Sequence, residues 1–145
     1  MTDIEKEIIE YLAEKPFITL ATCSSNGLPI THPIAHVTDG AIVYFVTDQT
    51  TRKVQNIIEN KNVAYSTFEE IDQIDQIKSI QMEGTANILP KGPEFTKAWE
   101  MILKKFPFMK NMPPNPNNVI VKITPKKCHY SDYSKGFGYK ETMVF

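Results

Sequence analysis

AIVYFVTDQTTRKVQNIIENKNVAYSTF, residues 41–68, reads as a strand, a turn, a short helix and a second strand. Residues 41–47 are β-branched and aromatic, the composition that fits a pleated surface. Four polar residues follow, Asp48 to Thr51, and then Val54, Ile57 and Ile58 fall at the i, i+3, i+4 spacing of one apolar helix face. Asn60 and Asn62 suit the helix exit, and Val63 to Phe68 is β-like again. Arg52 and Lys53 stand in the first turn of that helix. Unpaired N–H groups already place about half a positive charge there, so each cation is unfavourable by roughly 0.3–1 kcal/mol. Thr47, Thr50 and Thr51 add hydroxyl donors around the same point. Two readings account for the pattern. Either a phosphate is held by hydroxyls, N–H groups and two cations, or the turn is a solvated surface whose basic side chains reach into water. Composition weighs them about evenly.

A chain of 145 residues with 41% hydrophobic and 23% charged content is expected to form one domain with its own core. A net charge of −1 and a pI near 6.3 leave no basic footprint for wholesale nucleic-acid binding. No apolar run approaches the ~18 residues of a membrane span, and the N-terminus alternates charged with apolar residues, unlike a signal peptide. Cys23 and Cys128 have neither CxxC spacing nor a histidine pair beside them, so no metal site is expected. Two free thiols in a reducing cytoplasm fit this usage.

Taken in order, Thr2 or Asp3 caps a helix running to Lys15, with Ile4, Ile8, Tyr11 and Leu12 on one face, and Pro16 stops it. Phe17 to Cys23 is a strand, and Asn26-Gly27 predicts a type I′ hairpin turn. Leu28 to Val37 returns as a strand that Pro29 and Pro33 restrict to an edge or a bulge. Ile71, Ile74, Ile77 and Ile80 are three apart. They fit either a helical turn or a long hairpin connection with a strand from about Lys78, and the second is preferred. Gly84 marks a bulge in that strand. Glu94 to Phe106 carries Phe95, Ala98, Trp99, Ile102 and Phe106 on a helical face, and Pro107 ends it. The loop from Met109 to Pro116 is apolar and stiff. Val119 to Thr124 is a strand, Lys127 to Tyr133 a candidate for another, and Ser134 to Phe145 a Gly- and aromatic-containing tail. The expectation is a mostly β (α+β) fold, a barrel of six to seven largely antiparallel strands with peripheral helices.

The chain resembles the pyridoxamine 5′-phosphate oxidase-like FMN-binding split barrels. The likeness runs from the opening helix through Ser25-Asn26-Gly27-Leu28-Pro29 to Met82-Glu83-Gly84-Thr85-Ala86, and is sharpest over residues 44–53, YFVTDQTTRK. It implies that Thr47 and Thr51-Arg52-Lys53 hold the phosphate of FMN, that the strand from Thr31 to His36 borders the flavin ring, and that Ser79 or Gln81 gives the ring a polar contact. It also implies a homodimer with flavin at the subunit interface and a small-molecule electron donor and acceptor; charge and hydropathy, as above, point to no nucleic acid and no membrane as partner. The C-terminal segment, SDYSKGFGYKETMVF, has no arginine, so oxidation of pyridoxamine phosphate is not expected and the small general-stress-protein branch is the nearer likeness. The function implied is that of an FMN-dependent oxidoreductase of unassigned substrate, with a non-catalytic flavin-binding or sensing protein as the alternative; related split barrels that bind haem or a deazaflavin are a third. His32 and His36 share a strand face by alternation; His36 is the one placed beside the flavin, and His32 is read as a partly exposed strand residue.

Overall fold

The computed structural model describes residues Met1–Phe145. In chain order it contains α1 (Asp3–Glu14), β1 (Phe17–Cys23), β2 (Pro29–Ala35), β3 (Val37–Asp39), β4 (Ile42–Asp48), α2 (Arg52–Glu59), β5 (Asn62–Phe68), β6 (Lys78–Ile88), α3 (Pro93–Lys105), β7 (Asn118–Asp132) and β8 (Lys140–Val144). All pairings are antiparallel, in the order β2-β1-β5-β6-β7-β4-β3, with β8 also on β7. The sheet curls around one core, as a split barrel does.

Burial follows the pleat. Ile18, Leu20, Val63, Tyr65, Ile80 and Met82 point inward, where Ile8, Tyr11 and Leu12 of α1 and Ile57 of α2 meet them. β4 is buried on both faces. Val43 and Phe45 enter this core, while Tyr44 joins Ile120, Leu89 and Val37 beneath Ala98 and Ile102 of α3 in a second, smaller one. Its run IVYFV is accordingly unbroken by polar residues, the pattern of a strand covered on two sides.

Local signals account for most boundaries. The Thr2 hydroxyl caps α1, accepting from the Glu5 N–H at 3.2 Å. β2 occupies a sheet edge, where its two prolines cost no ladder bonds to an outer neighbour. The hairpin after β1 departs from expectation. Only Gly27 has positive φ there, at 84°, and the Gly27 N–H donates to the Ser24 carbonyl, so a turn closed by one left-handed glycine replaces type I′. Residues 69–77 satisfy both readings in part, since a single 3₁₀ turn at Ile74–Gln76 lies within the β5–β6 connection. Ile58 is 64% exposed, and the third buried residue of α2 is Asn56, whose amide donates to the Thr22 hydroxyl at 3.1 Å. Val119–Thr124 and Lys127–Tyr133 are not two strands: β7 is one 15-residue strand through Pro125. It pairs β4 over its first half, β8 over its second and β6 along both. The tail forms β8, which raises the strand count to eight.

The β6 register shifts between Glu83 and Gly84. A Cβ at Gly84 would lie 2.6 Å from the Thr124 carbonyl oxygen, a main-chain atom that cannot swing aside. Gly84→Ala is therefore expected to lower stability by about 1–3 kcal/mol in urea denaturation, the range for an overpacked core.

Candidate phosphate-binding site

β4 delivers the chain to a tight turn built on Asp48. Its Oδ1 accepts from the Thr50 N–H at 2.8 Å and the Thr50 hydroxyl at 2.7 Å, and its Oδ2 accepts from the Asn115 amide at 2.9 Å. Its carbonyl accepts from the Thr51 hydroxyl at 2.8 Å. These bonds hold the Asp48 carboxyl below the usual carboxylate range, the Asn115 bond foremost. The segment before β7 braces the turn from outside, since the Gln49 N–H donates to the Asn117 carbonyl at 2.9 Å. From inside, the Gln55 amide donates to the Gln49 carbonyl at 3.1 Å.

Thr51 is the N-cap of α2, but its hydroxyl is turned back to Asp48 and makes no cap bond. The helix start carries no acidic residue, and neither Arg52 nor Lys53 forms an ion pair. Arg52 is exposed. Lys53 is half-buried, and burial lowers its pKa because the ammonium has lost water without gaining a counter-charge. Two unpaired cations on an uncapped helix start make a strongly anion-seeking point, and a phosphate has the oxygens to satisfy it. Thr47, at the end of β4 opposite Val119, keeps its hydroxyl free of any protein partner, whereas Thr50 and Thr51 spend their protons inside the turn. Of the three expected hydroxyl donors, only Thr47 remains available as one.

The other candidates lie apart. His36 is 1% exposed, beyond the end of β2, with Nε2 3.0 Å from the Leu12 carbonyl. A carbonyl only accepts, so Nε2 carries the proton and the buried Nδ1 is bare, with no partner. Its neighbours are α1 and the Lys105 ammonium, and burial first, Lys105 second, hold its pKa down to about 4. This is an interior histidine, and the placement of His36 beside a cofactor is corrected on that ground. His32 is the histidine within the field of the clamp. Partial burial, then Lys53 and Arg52, lower its pKa and keep the ring neutral. Alternation holds, since His32 and His36 share the face of the core residue Ile34; His36 is fully buried against α1 at its far end, while His32 is only half-buried.

Ser79 and Gln81 lie on β6, opposite Phe68 and Ser66 of β5. Gln81 is exposed on the outer sheet face, in a shallow concavity with Thr19, Ala21, Thr31, Ser66 and His129 that no residue of the Asp48 turn lines. Asp48, Asn115 and Asn117 are the members that sequence reasoning missed; His32, read as a partly exposed strand residue, is half-buried. Asp48 had a local signal, an acidic residue two before a threonine at a helix entrance. The asparagines had none, since the chain returns to the turn only some 67 residues later.

Among solved structures, ChuZ of Campylobacter jejuni superposes with a TM-score of 0.83 at 20% identity, covering 99% of this chain and 60% of that one. A haem-binding protein from Mycobacterium smegmatis gives 0.84 at 14% identity, covering 99% and 59%. This chain thus spans about three fifths of the length of those two proteins. General Stress Protein 26 from Bacillus anthracis gives 0.70 at 22% identity, covering 99% and 100%. No curated protein sequence matches the chain. No helix is long and apolar enough to cross a membrane. Residues 4–132 match the family model described as pyridoxamine 5′-phosphate oxidase, and the chain belongs to that family.

Proposed function

We propose that this chain is an FMN-binding flavoprotein, most simply an oxidoreductase acting on a small molecule, with the FMN phosphate held at the start of α2. The observation that carries the reading is the pair of unpaired cations, Arg52 and Lys53, on an uncapped helix N-terminus. Lys53 and Arg52 supply charge, Thr47 supplies a hydroxyl, and Asp48 with Asn115 and Asn117 fixes the turn that presents them. FMN, when bound, supplies hydride and electron transfer at its ring, so the protein's part is position and field rather than an acid–base triad. His32 lies in the field of the same cations, which with partial burial lower its pKa and favour the uncharged ring, so it would add a hydrogen-bonding group to the proposed site without adding charge. The unit proposed is a homodimer. The outer face of β1, β5 and β6, with the small residues Ala21, Ala64 and Ser66, lets a second sheet approach closely.

Affinity for FMN against riboflavin tests the reading. The phosphate should account for most of the binding, and equal affinity for the two would remove the assignment. Sedimentation of the FMN-loaded protein should give a dimer, and a monomer that retains its flavin would refute the shared interface. Bleaching of the bound flavin by NADH or NADPH separates an enzyme from a carrier. Haem is a second reading, favoured by the fold shared with the Mycobacterium smegmatis haem-binding protein. His129 and His32, neither of them fully buried, are the side chains that would hold its iron. Haem leaves the two cations of the clamp without a phosphate, and a Soret band in place of flavin absorption after loading would select it.

A further inference from the structure

A cavity of about 620 Å³ opens between α3, the ends of β4 and β7, and the proline-rich loop that precedes β7. This is within the range of small-molecule sites. Phe95 and Trp99, four apart on α3, form one wall; Met109 and Met112 bring flexible thioethers to another, and three prolines between 113 and 116 stiffen the rim. Trp99 is the only tryptophan of the chain, and it lies half-buried at the margin of the smaller core rather than inside it. No acidic residue lines the cavity. Its one charge is Lys91, whose ammonium sits 3.8 Å from the centroid of the Phe95 ring and has no carboxylate partner. Asn115 adds an amide at the edge. No residue from Thr47 to Lys53 lines it, so the cavity and the phosphate clamp are separate places, though adjoining ones: Asn115 bonds to Asp48, and Asn118 and Val119 of its lining pair with Asp48 and Thr47.

We propose that this cavity is a second binding site, for a small aromatic carboxylate. A flat apolar body matches the aromatic and thioether walls, and one negative charge at the rim pairs with Lys91 where nothing else does. The inference goes beyond flavin binding and stands without it.

Calorimetric titration with naphthoate and with its uncharged isostere naphthamide tests the proposal, each with and without saturating FMN. At low salt the carboxylate should bind about fivefold more tightly than the amide, the upper range for an exposed ion pair. Lys91→Met, a change on an exposed loop, should bring the two affinities together and leave naphthamide binding unchanged. Trp99→Leu should weaken both probes by about tenfold through lost stacking. If that variant fails to fold, quenching of Trp99 fluorescence by naphthoate in the parent protein without FMN replaces it. Equal affinity of the parent for the two probes, insensitivity to Lys91→Met, or displacement of naphthoate by FMN would each overturn the proposal. Self-association through this face with no probe binding would overturn it too, in favour of a second copy of the chain.

Discussion

On the FMN reading proposed above, Lys53→Ala should weaken FMN binding by about 1.5–3 kcal/mol, roughly 10- to 150-fold, the value of a hydrogen bond to a charged group. Arg52→Ala has an effect in the same range. The double variant should fall short of the sum, since two cations sharing one phosphate would not act independently and the first loss would let the second readjust. Stability should move the other way. Removing a cation from the positive end of α2 relieves repulsion of about 0.3–1 kcal/mol per residue, so the ligand-free variants should unfold at equal or slightly higher urea than the parent. Riboflavin affinity should be unmoved by either substitution. Fluorescence titration of FMN and riboflavin against the single and double variants reads all of this. A loss shared equally by both ligands would mean that the cations act on the fold and not on a phosphate.

Acid sensitivity centred on His36 is the second large effect. Unfolded, this histidine takes up a proton near its ordinary value of 6.5; folded, it does so only at about 4. Between those values the unfolded chain binds the extra proton, so stability is complete above about pH 6.5 and declines as the pH falls toward 4. A gap of about 2.5 units at 1.36 kcal/mol each gives a loss of roughly 3 kcal/mol across the window. Burial is the main reason, since a proton placed on the bare Nδ1 enters a buried site with no acceptor, and the Lys105 ammonium adds repulsion. His36→Gln removes the titration while keeping an amide donor for the Leu12 carbonyl. Urea denaturation from pH 7 to pH 4 should show a markedly shallower slope for that variant than for the parent. The slope that remains should be smaller, with His32 and, near pH 4, the depressed carboxyls of Glu94, Asp48 and Asp132 contributing in the same direction.

Much of the fold is legible in the sequence because the deciding signals are local. Pro16, Pro107 and the strand–turn–helix–strand of residues 41–68 announce themselves through neighbours, and the bulge at Gly84 through its strand. What escaped depends on distant partners. Ile58 has the spacing of a core residue, yet the turn of α2 that faces the sheet carries Asn56, because Thr22 of β1 offers it a buried hydroxyl. Pro125 suggests a strand break, but it sits opposite the bulge in β6, where the ladder is already irregular, and β7 runs on. The site divides in the same way. Arg52 and Lys53 stand out by breaking a charge rule of helices, whereas the complete covering of His36, two residues beyond Ile34 on the inward face, depends on Leu12 of α1 and Lys105 of α3, both distant in sequence.

The bonds from Asn115 and Asn117 to the Asp48–Gln49 turn also fix when the site comes into being. During biosynthesis the arginine and lysine emerge early, on a segment that is one strand and one short helix with no neighbour on one side. The asparagines, and the β7 strand that flanks β4, follow some 67 residues later. Contacts so far apart in sequence form late, after the entropy of closing the long loop has been met. A ligand that requires them binds the finished chain and not its precursors. FMN should accordingly slow the unfolding of the protein while leaving its refolding rate unchanged, and a nascent chain still holding residue 117 within the ribosome has its cations but no clamp.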